Sequence, residues 1–228
     1  MCATSGAIAE SRPLKALVFT GGCCHDYTQL IPLLTSNISH QIKITFDVEW
    51  TLDRLKEPKF AQRYDVVIYD VCFDNAEATL LENALAALQH GKPAVILHCG
   101  VHAFRNSPKI REWENGIGMR SKVHDPFQAF GTDKTDVGSP ILKGFPDHWR
   151  TSGDELYQTI ELIEDSHPLL KAKSPHDGRE HIVCWTRTTG KGRVFATTLG
   201  HDLHTVADAD YLRLVARGLL WACGRPDQ

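Results

Sequence analysis

Short apolar runs alternate with amphipathic stretches along most of this chain, and each apolar run ends in a cluster of polar residues. Residues 14–20 (Leu-Lys-Ala-Leu-Val-Phe-Thr), 64–71 and 93–97 read as buried strands, too short for helices and rich in β-branched side chains. Residues 41–48 alternate Ile42, Ile44 and Phe46 with polar neighbours, which predicts a more peripheral strand. A helix is expected from Tyr27 to about Ile38. A second is expected over 76–90, where Leu80, Leu81, Ala84, Leu85 and Leu88 fall at helical spacing before Gly91. Residues 56–63, with Pro58, read as a linker.

The second half is less regular. Residues 106–140 show no clear period and read as a long loop of the kind that forms lids and binding loops. Residues 140–149 are turn-rich, a strand is expected from about 154 to 163, and another over 167–172. Residues 181–187 and 192–199 flank Thr188-Thr189-Gly190-Lys191, a hairpin signal. Leu212, Val215, Leu219 and Leu220 share a face of a closing helix over 207–223. The fold class expected is therefore α/β: a doubly wound, mostly parallel sheet with a C-terminal β-hairpin and closing helix. Residues 1–12 read as a loose, disordered tail and 13–228 as one domain.

Composition narrows the function. Lys and Arg number 25 against 28 Asp and Glu, a net charge of −3, so no basic footprint for nucleic acid or an anionic membrane exists. No apolar run approaches the ~18 residues of a membrane span. Seven cysteines, an odd number without a CxxC pair, suggest free thiols in a reducing, cytoplasmic setting rather than a disulfide framework. A removed export signal stays open. The Gly21-Gly22 pair lacks the spacing of a nucleotide-binding loop, so no nucleotide is expected.

The chemistry gathers at strand ends. Gly22, His25 and Asp26 follow the first strand; His98, Cys99, His102 and Arg105 follow the fourth; His201 and His204 follow the hairpin. In open α/β sheets the carboxyl edge is where ligands bind. Joined by Glu155, these residues admit three chemistries: a metal site, His-based acid–base catalysis, or a Cys99 nucleophile with His201 as its base. A lone loop histidine is more often a surface or capping residue, and a lone cysteine a small buried side chain. His40, His90, His148, His167, His176 and His181 are read as structural or solvated. Trp113, Phe127 and Trp149 are candidates to wall a sugar cleft by stacking, or to pack beneath a loop.

The motifs Gly21-Gly22-x-x-His25-Asp26, His98-x-x-x-His102-Ala103-Phe104-Arg105, Gly153-Asp154-Glu155-Leu156-Tyr157 and Gly190-Lys191-Gly192-Arg193-Val194-Phe195-Ala196-Thr197-Thr198-Leu199-Gly200-His201 resemble the ThuA-like family, named for trehalose utilisation. The resemblance runs from about Leu14 to Arg225. It implies a flavodoxin-like fold related to class I glutamine amidotransferases, and carbohydrate catabolism on keto-sugar intermediates made by a partner sugar dehydrogenase. The expected catalytic residues are His98, His201 and Glu155. Gly22, Asp26, His102, Arg105, His124 and His204 are expected against substrate, and His25, His98 and His201 around one zinc or manganese ion. The expected ligand is a small-molecule sugar, and self-association is left open. The competing readings are a non-catalytic sugar- or metal-binding module and a Cys99-dependent hydrolase. The last is weakened because Leu97 and Val101 stand where amidotransferases place the glycines of their nucleophile turn.

Overall fold

The computed structural model describes residues 12–226; residues 1–11, most of the expected tail, lie outside them. Arg12, the last residue of that tail, is held by an ion pair to Asp65. Four strands form the first part of the sheet: β1 (Leu14–Gly22), β2 (Ile44–Glu49), β3 (Val66–Cys72) and β4 (Ala94–Leu97). They are joined through α1 (Tyr27–Gln41) and α2 (Ala78–Gln89). The long stretch after Arg105 is not a loop. It holds α3 (Ile110–Ile117), β5 (Met119–His124) and β6 (Gly131–Lys134). Helix α3 has only Ile110, Trp113 and Ile117 as its apolar stripe, too short a pattern to stand out. Gly118 ends it in a left-handed conformation at φ 93°.

Then follow β7 (His148–Arg150), β8 (Tyr157–Leu162), β9 (His167–Lys173), β10 (Glu180–Thr189) and β11 (Gly192–Thr197). The expected closing helix is α5 (Ala209–Ala222); a short helix, α4 (Leu203–Ala207), precedes it, with a break at Asp208 between them. The break has a simple cause: Asp208 leaves helical geometry and its carboxylate caps α5, accepting from the N–H groups of Asp210 and Tyr211 at 2.9 Å.

Among the described residues, nine strands form one sheet in the order β2-β1-β3-β4-β11-β10-β9-β6-β7. The first five are mutually parallel, in the flavodoxin-like order, and β10, β9, β6 and β7 extend them antiparallel. The sheet is thus mixed, parallel in the half whose strand ends carry His25, His98 and His201. β5 and β8 form a separate antiparallel ribbon that sets His124 opposite Tyr157.

Apolar side chains fill both faces of the sheet. One core joins Ile31 and Leu34 of α1 and Leu212, Val215 and Leu219 of α5 to the sheet; the other joins Leu81 and Ala84 of α2 with Trp113 and Trp185. Each fully buried leucine or valine stabilises by roughly 1.5–3 kcal/mol, so Leu219→Ala would open a costly void. Among the described residues no helix is long and apolar enough to cross a membrane.

Candidate active site

The strand order reverses between β2-β1 and β3-β4, and the polar strand ends face the crevice this creates. Beyond β4 the chain enters a 3₁₀ turn (His98–Val101) with His98 at φ 40°, a left-handed conformation unusual for a residue with a Cβ. Such strained strand-to-helix turns are how α/β-hydrolases present a nucleophile. Here the strained position belongs to His98, and Cys99 lies one residue later. Gly100 lets the turn sit close to β3: a Cβ there would lie 2.5 Å from the Tyr69 carbonyl oxygen.

His98 is buried, and its Nδ1–H donates to the Thr198 carbonyl at 2.6 Å. Its Nε2 therefore faces the site, 3.5 Å from both Glu155 Oε2 and the Tyr157 hydroxyl. Glu155 Oε2 also lies 3.3 Å from His201 Nδ1 and 3.6 Å from His124 Nε2. One carboxylate oxygen is thus ringed by three imidazoles. His201 Nδ1 is buried and lacks an aligned hydrogen-bond partner.

Burial opposes a charge on Glu155, but His201 and His98 override it and hold the carboxyl far below its usual range. Burial likewise opposes protonation of His98, and Glu155 and Asp154 outweigh it, leaving the imidazole more basic than usual. His25 stands with its ring 4.9 Å from His98 and 4.7 Å from His201. Burial, then the two neighbouring imidazoles, lower it to about 4, so it is neutral near pH 7.

The sequence reading missed Asp154 and Tyr157, although both stand in the motif that supplied Glu155. Asp154 is fully buried and accepts from the backbone N–H groups of Gly200 (2.9 Å), His201 (3.3 Å) and Glu155 (2.8 Å). It ties the β11 exit loop to the segment carrying Glu155. Tyr157 stacks on His102 with ring centroids 3.8 Å apart and reaches Cys99 Sγ at 3.4 Å.

A cavity of about 370 Å³ is lined by His25, Cys99, His102, His124, Glu155 and His201 among others, with His98 and Asp154 buried behind that lining. Arg105 also lines it, paired with Asp74 at 2.7 Å. A second cavity of about 300 Å³ adjoins it through His102, Arg105 and Lys122, and extends past Ile110 and Arg111.

Three expected substrate contacts do not line the cavity. Gly22 packs against the Cys72 backbone, where a Cβ would come within 2.3 Å. Asp26 is exposed, its carboxylate held by Thr28 and Gln29 at the start of α1. His204 is exposed and pairs with Asp202, the cap of its own helix. Of the aromatics, Trp113 is core, donating to the Gly100 carbonyl, and Trp149 is buried against Asp208. Phe127 alone borders the site, its ring 4.9 Å from His201.

The donor atoms also divide differently from the expected three-histidine set. His98, His201 and Glu155 offer ligand atoms within 4.8 Å of one another, whereas His25 groups with His98 and Cys99. Nor is His201 the partner of Cys99; His25 Nε2 is, at 2.9 Å. Cys72 beside it and burial push the Cys99 thiol up, out of the range in which it would ionise. Cys99 therefore packs as a protonated thiol.

Comparison with known proteins matches residues 15–222 to the ThuA family, described as Trehalose utilisation. The chain belongs to the ThuA family. Among solved structures, a ThuA-like protein from Parabacteroides merdae superposes with a TM-score of 0.78 at 22% identity, over 95% of this chain and 92% of that one. A ThuA-like protein from Bacteroides uniformis gives 0.79 at 16% identity, over 95% and 94%. The cold-adapted β-galactosidase of Rahnella sp. R3 gives 0.63 at 15% identity, over 91% of this chain and 31% of that one. These likenesses show that the ThuA fold is shared. No match was found among the curated proteins.

Proposed function

We propose that this ThuA-family chain is an enzyme of carbohydrate catabolism acting on a sugar or glycoside that carries a ring ketone. The observation that carries this reading is the convergence of His98 Nε2, His201 Nδ1 and the Glu155 carboxylate within 4.8 Å of one another at the carboxyl edge of the sheet. The family description, trehalose utilisation, agrees with a sugar substrate. The two adjoining cavities give room for a two-unit glycoside, one unit over the histidines and one towards Arg111.

A ring ketone acidifies the C–H beside it, so a positioned base can remove that proton. His201 takes the proton, and the C–H electron pair becomes the enolate. Collapse of the enolate expels the glycosidic oxygen from the next carbon. His98, whose Nδ1–H is fixed on Thr198, gives its Nε2 proton to that oxygen. Glu155 holds both imidazoles in place, and Arg105, His102 and His124 contact sugar hydroxyls. The same donors fit one divalent transition ion such as zinc or manganese, with His98, His201 and Glu155 as its ligands; such an ion would polarise the ketone. A sugar dehydrogenase is the class of partner that would supply the ketone.

The test is turnover on synthetic keto-glycosides. His98→Ala and His201→Ala should each abolish it while leaving the melting temperature within a few degrees of the parent. Full turnover in both variants overturns the proposal. Metal analysis of the purified protein separates an ion-assisted site from a purely acid–base one. An ion that sets the melting temperature, with no turnover on any keto-glycoside, would favour a binding module instead.

A further inference from the structure

The acid–base reading leaves a line of sulfur atoms along one wall of the cavity unused. Cys23 and Cys24, exposed where β1 leaves the sheet, are joined to each other as a disulfide of adjacent residues. This departs from the free thiols expected from the cysteine count. Among the described residues Cys72, Cys99, Cys184 and Cys223 are free.

Cys72, at the carboxyl end of β3, places its Sγ 3.5 Å from Cys23 Sγ. The Cys23 N–H donates to the Cys72 carbonyl at 3.1 Å, which pins the two segments together. All three sulfurs lie within 4.8 Å of one another. The guanidinium of Arg105 stands 3.7 Å from Cys72 Sγ.

We propose that Cys23, Cys24 and Cys72 form a thiol–disulfide exchange site whose co-substrate is a dithiol reductant. In the first step the Cys72 thiolate attacks Cys23 Sγ. The Cys23–Cys24 bond breaks, its electron pair leaves on Cys24 Sγ, and that thiolate takes a proton from solvent. One disulfide replaces another, so no outside oxidant is needed. In the second step a dithiol attacks the Cys23–Cys72 bond, forms a mixed disulfide, and closes on itself. It leaves as its own disulfide, with both protein sulfurs reduced.

Cys72 is the sulfur suited to attack. The Cys99 thiol beside it, together with Arg105, outweighs burial and lowers Cys72 to about 7, whereas Cys99, Cys184 and Cys223 are all pushed up. The exchange reaches the active site through the backbone. Cys24 is held at φ 80°, a conformation disfavoured for a residue with a Cβ, and the next residue is His25. Releasing Cys24 frees it from that conformation and changes how His25 is presented to His98 and His201. The exchange itself rests on the sulfur geometry and takes no step of the sugar chemistry, so it stands or falls independently of it.

Disulfide mapping of the full chain by mass spectrometry, after acid quenching and alkylation, tests it. In dithiothreitol redox buffers at pH 8 the parent should show Cys23–Cys24 and Cys23–Cys72 links that disappear together as the buffer becomes more reducing. Cys72→Ser should lose the second link and keep the first. Because Cys72 is buried, Cys24→Ser at the exposed position provides the second arm: air oxidation should yield Cys23–Cys72 in full. The His25 ring proton resonance should shift on reduction of the parent. Cys72 fully alkylated at every buffer setting, no Cys23–Cys72 link in Cys24→Ser, or an unmoved His25 resonance each overturns the proposal.

Discussion

The two halves of the sheet supply the site with different chemistry. In the parallel half β3 and β4 are buried along their whole length, and the polar groups of the site stand where strands end. From there come His25, His98, Cys99 and, after β11, His201. The antiparallel half and its β5–β8 ribbon are more exposed and bring Asp154, Glu155, Tyr157 and His124. Three imidazoles, His25, His98 and His201, arrive from one side, and both carboxylates, with His124, from the other. Each group is tuned across the seam: Glu155 owes its strong acidity to histidines it meets only in the fold, and His98 its basicity to carboxylates of the other half. A site divided this way is complete only when both halves are packed together.

Removing the carboxylate from the seam should have the largest effect. Glu155→Gln keeps the size of the side chain but leaves His98 and His201 without their counter-charge. Turnover on a keto-glycoside should fall by about 10³-fold, within the range of acid–base contributions, with substrate binding little changed. Steady-state kinetics check it, and an unchanged kcat would detach Glu155 from the chemistry.

Next is the tie between the halves. Asp154→Ala leaves the buried N–H groups of Gly200, His201 and Glu155 without their acceptor, at about 1–3 kcal/mol for each one left unsatisfied. Chemical denaturation should show a loss of about 3 kcal/mol or more. A loss below 1 kcal/mol would mean that the halves hold together without it.

The third contrast is in pH. Burial, followed by the nearby charges of His98, His124 and Arg105, lowers His102 to about 3. Between that value and the ordinary histidine range near 6.5 the unfolded chain binds a proton that the folded chain refuses. Its contribution is therefore present above pH 6.5 and is lost as the pH falls through that window towards 3. His102→Phe removes this proton uptake. The stability difference between variant and parent should move in the variant's favour by up to about 1.4 kcal/mol per pH unit below 6.5. Parallel pH profiles for the two proteins would contradict it.

The smallest effect is expected at the strand-end residues that point away from the seam. His204→Ala and Asp26→Ala should leave turnover unchanged and stability within about 1 kcal/mol, the residual being their local helix-end contacts. A large loss of turnover in either would enlarge the site beyond the cavity described above.

The difference between the halves also explains what could be read from the residues alone. Continuous apolar runs such as 66–69 and 94–97 admit few structures besides buried strands, and the leucine spacing of α2 and α5 admits few besides helices. The parallel framework and the edge where polar residues gather follow from that pattern; the narrowing to His25, His98 and His201 rests on the family motifs, since His102 and His204 also follow strands. Helix α3 and strands β5 and β6 left weaker traces, because an eight-residue helix and half-exposed strands carry too few apolar positions to define a period. The motif around Glu155 marked its segment as part of the site without showing that Asp154 anchors it.

What only the tertiary structure decided is which strand-end residues face one another. A histidine after a strand has the same local sequence signature whether its ring turns inward, as His98 does beneath Thr198, or stays exposed and pairs with Asp202, the cap of its own helix, as His204 does. Burial and partner charge are properties of the space between segments. So the sequence by itself determined the strands, the helices and the edge at which chemistry could occur. Packing across the seam decided that Glu155 would sit among three imidazoles, and packing within the parallel half that Cys99 would stay protonated beside His25 and that Cys72 would come within reach of the Cys23–Cys24 pair.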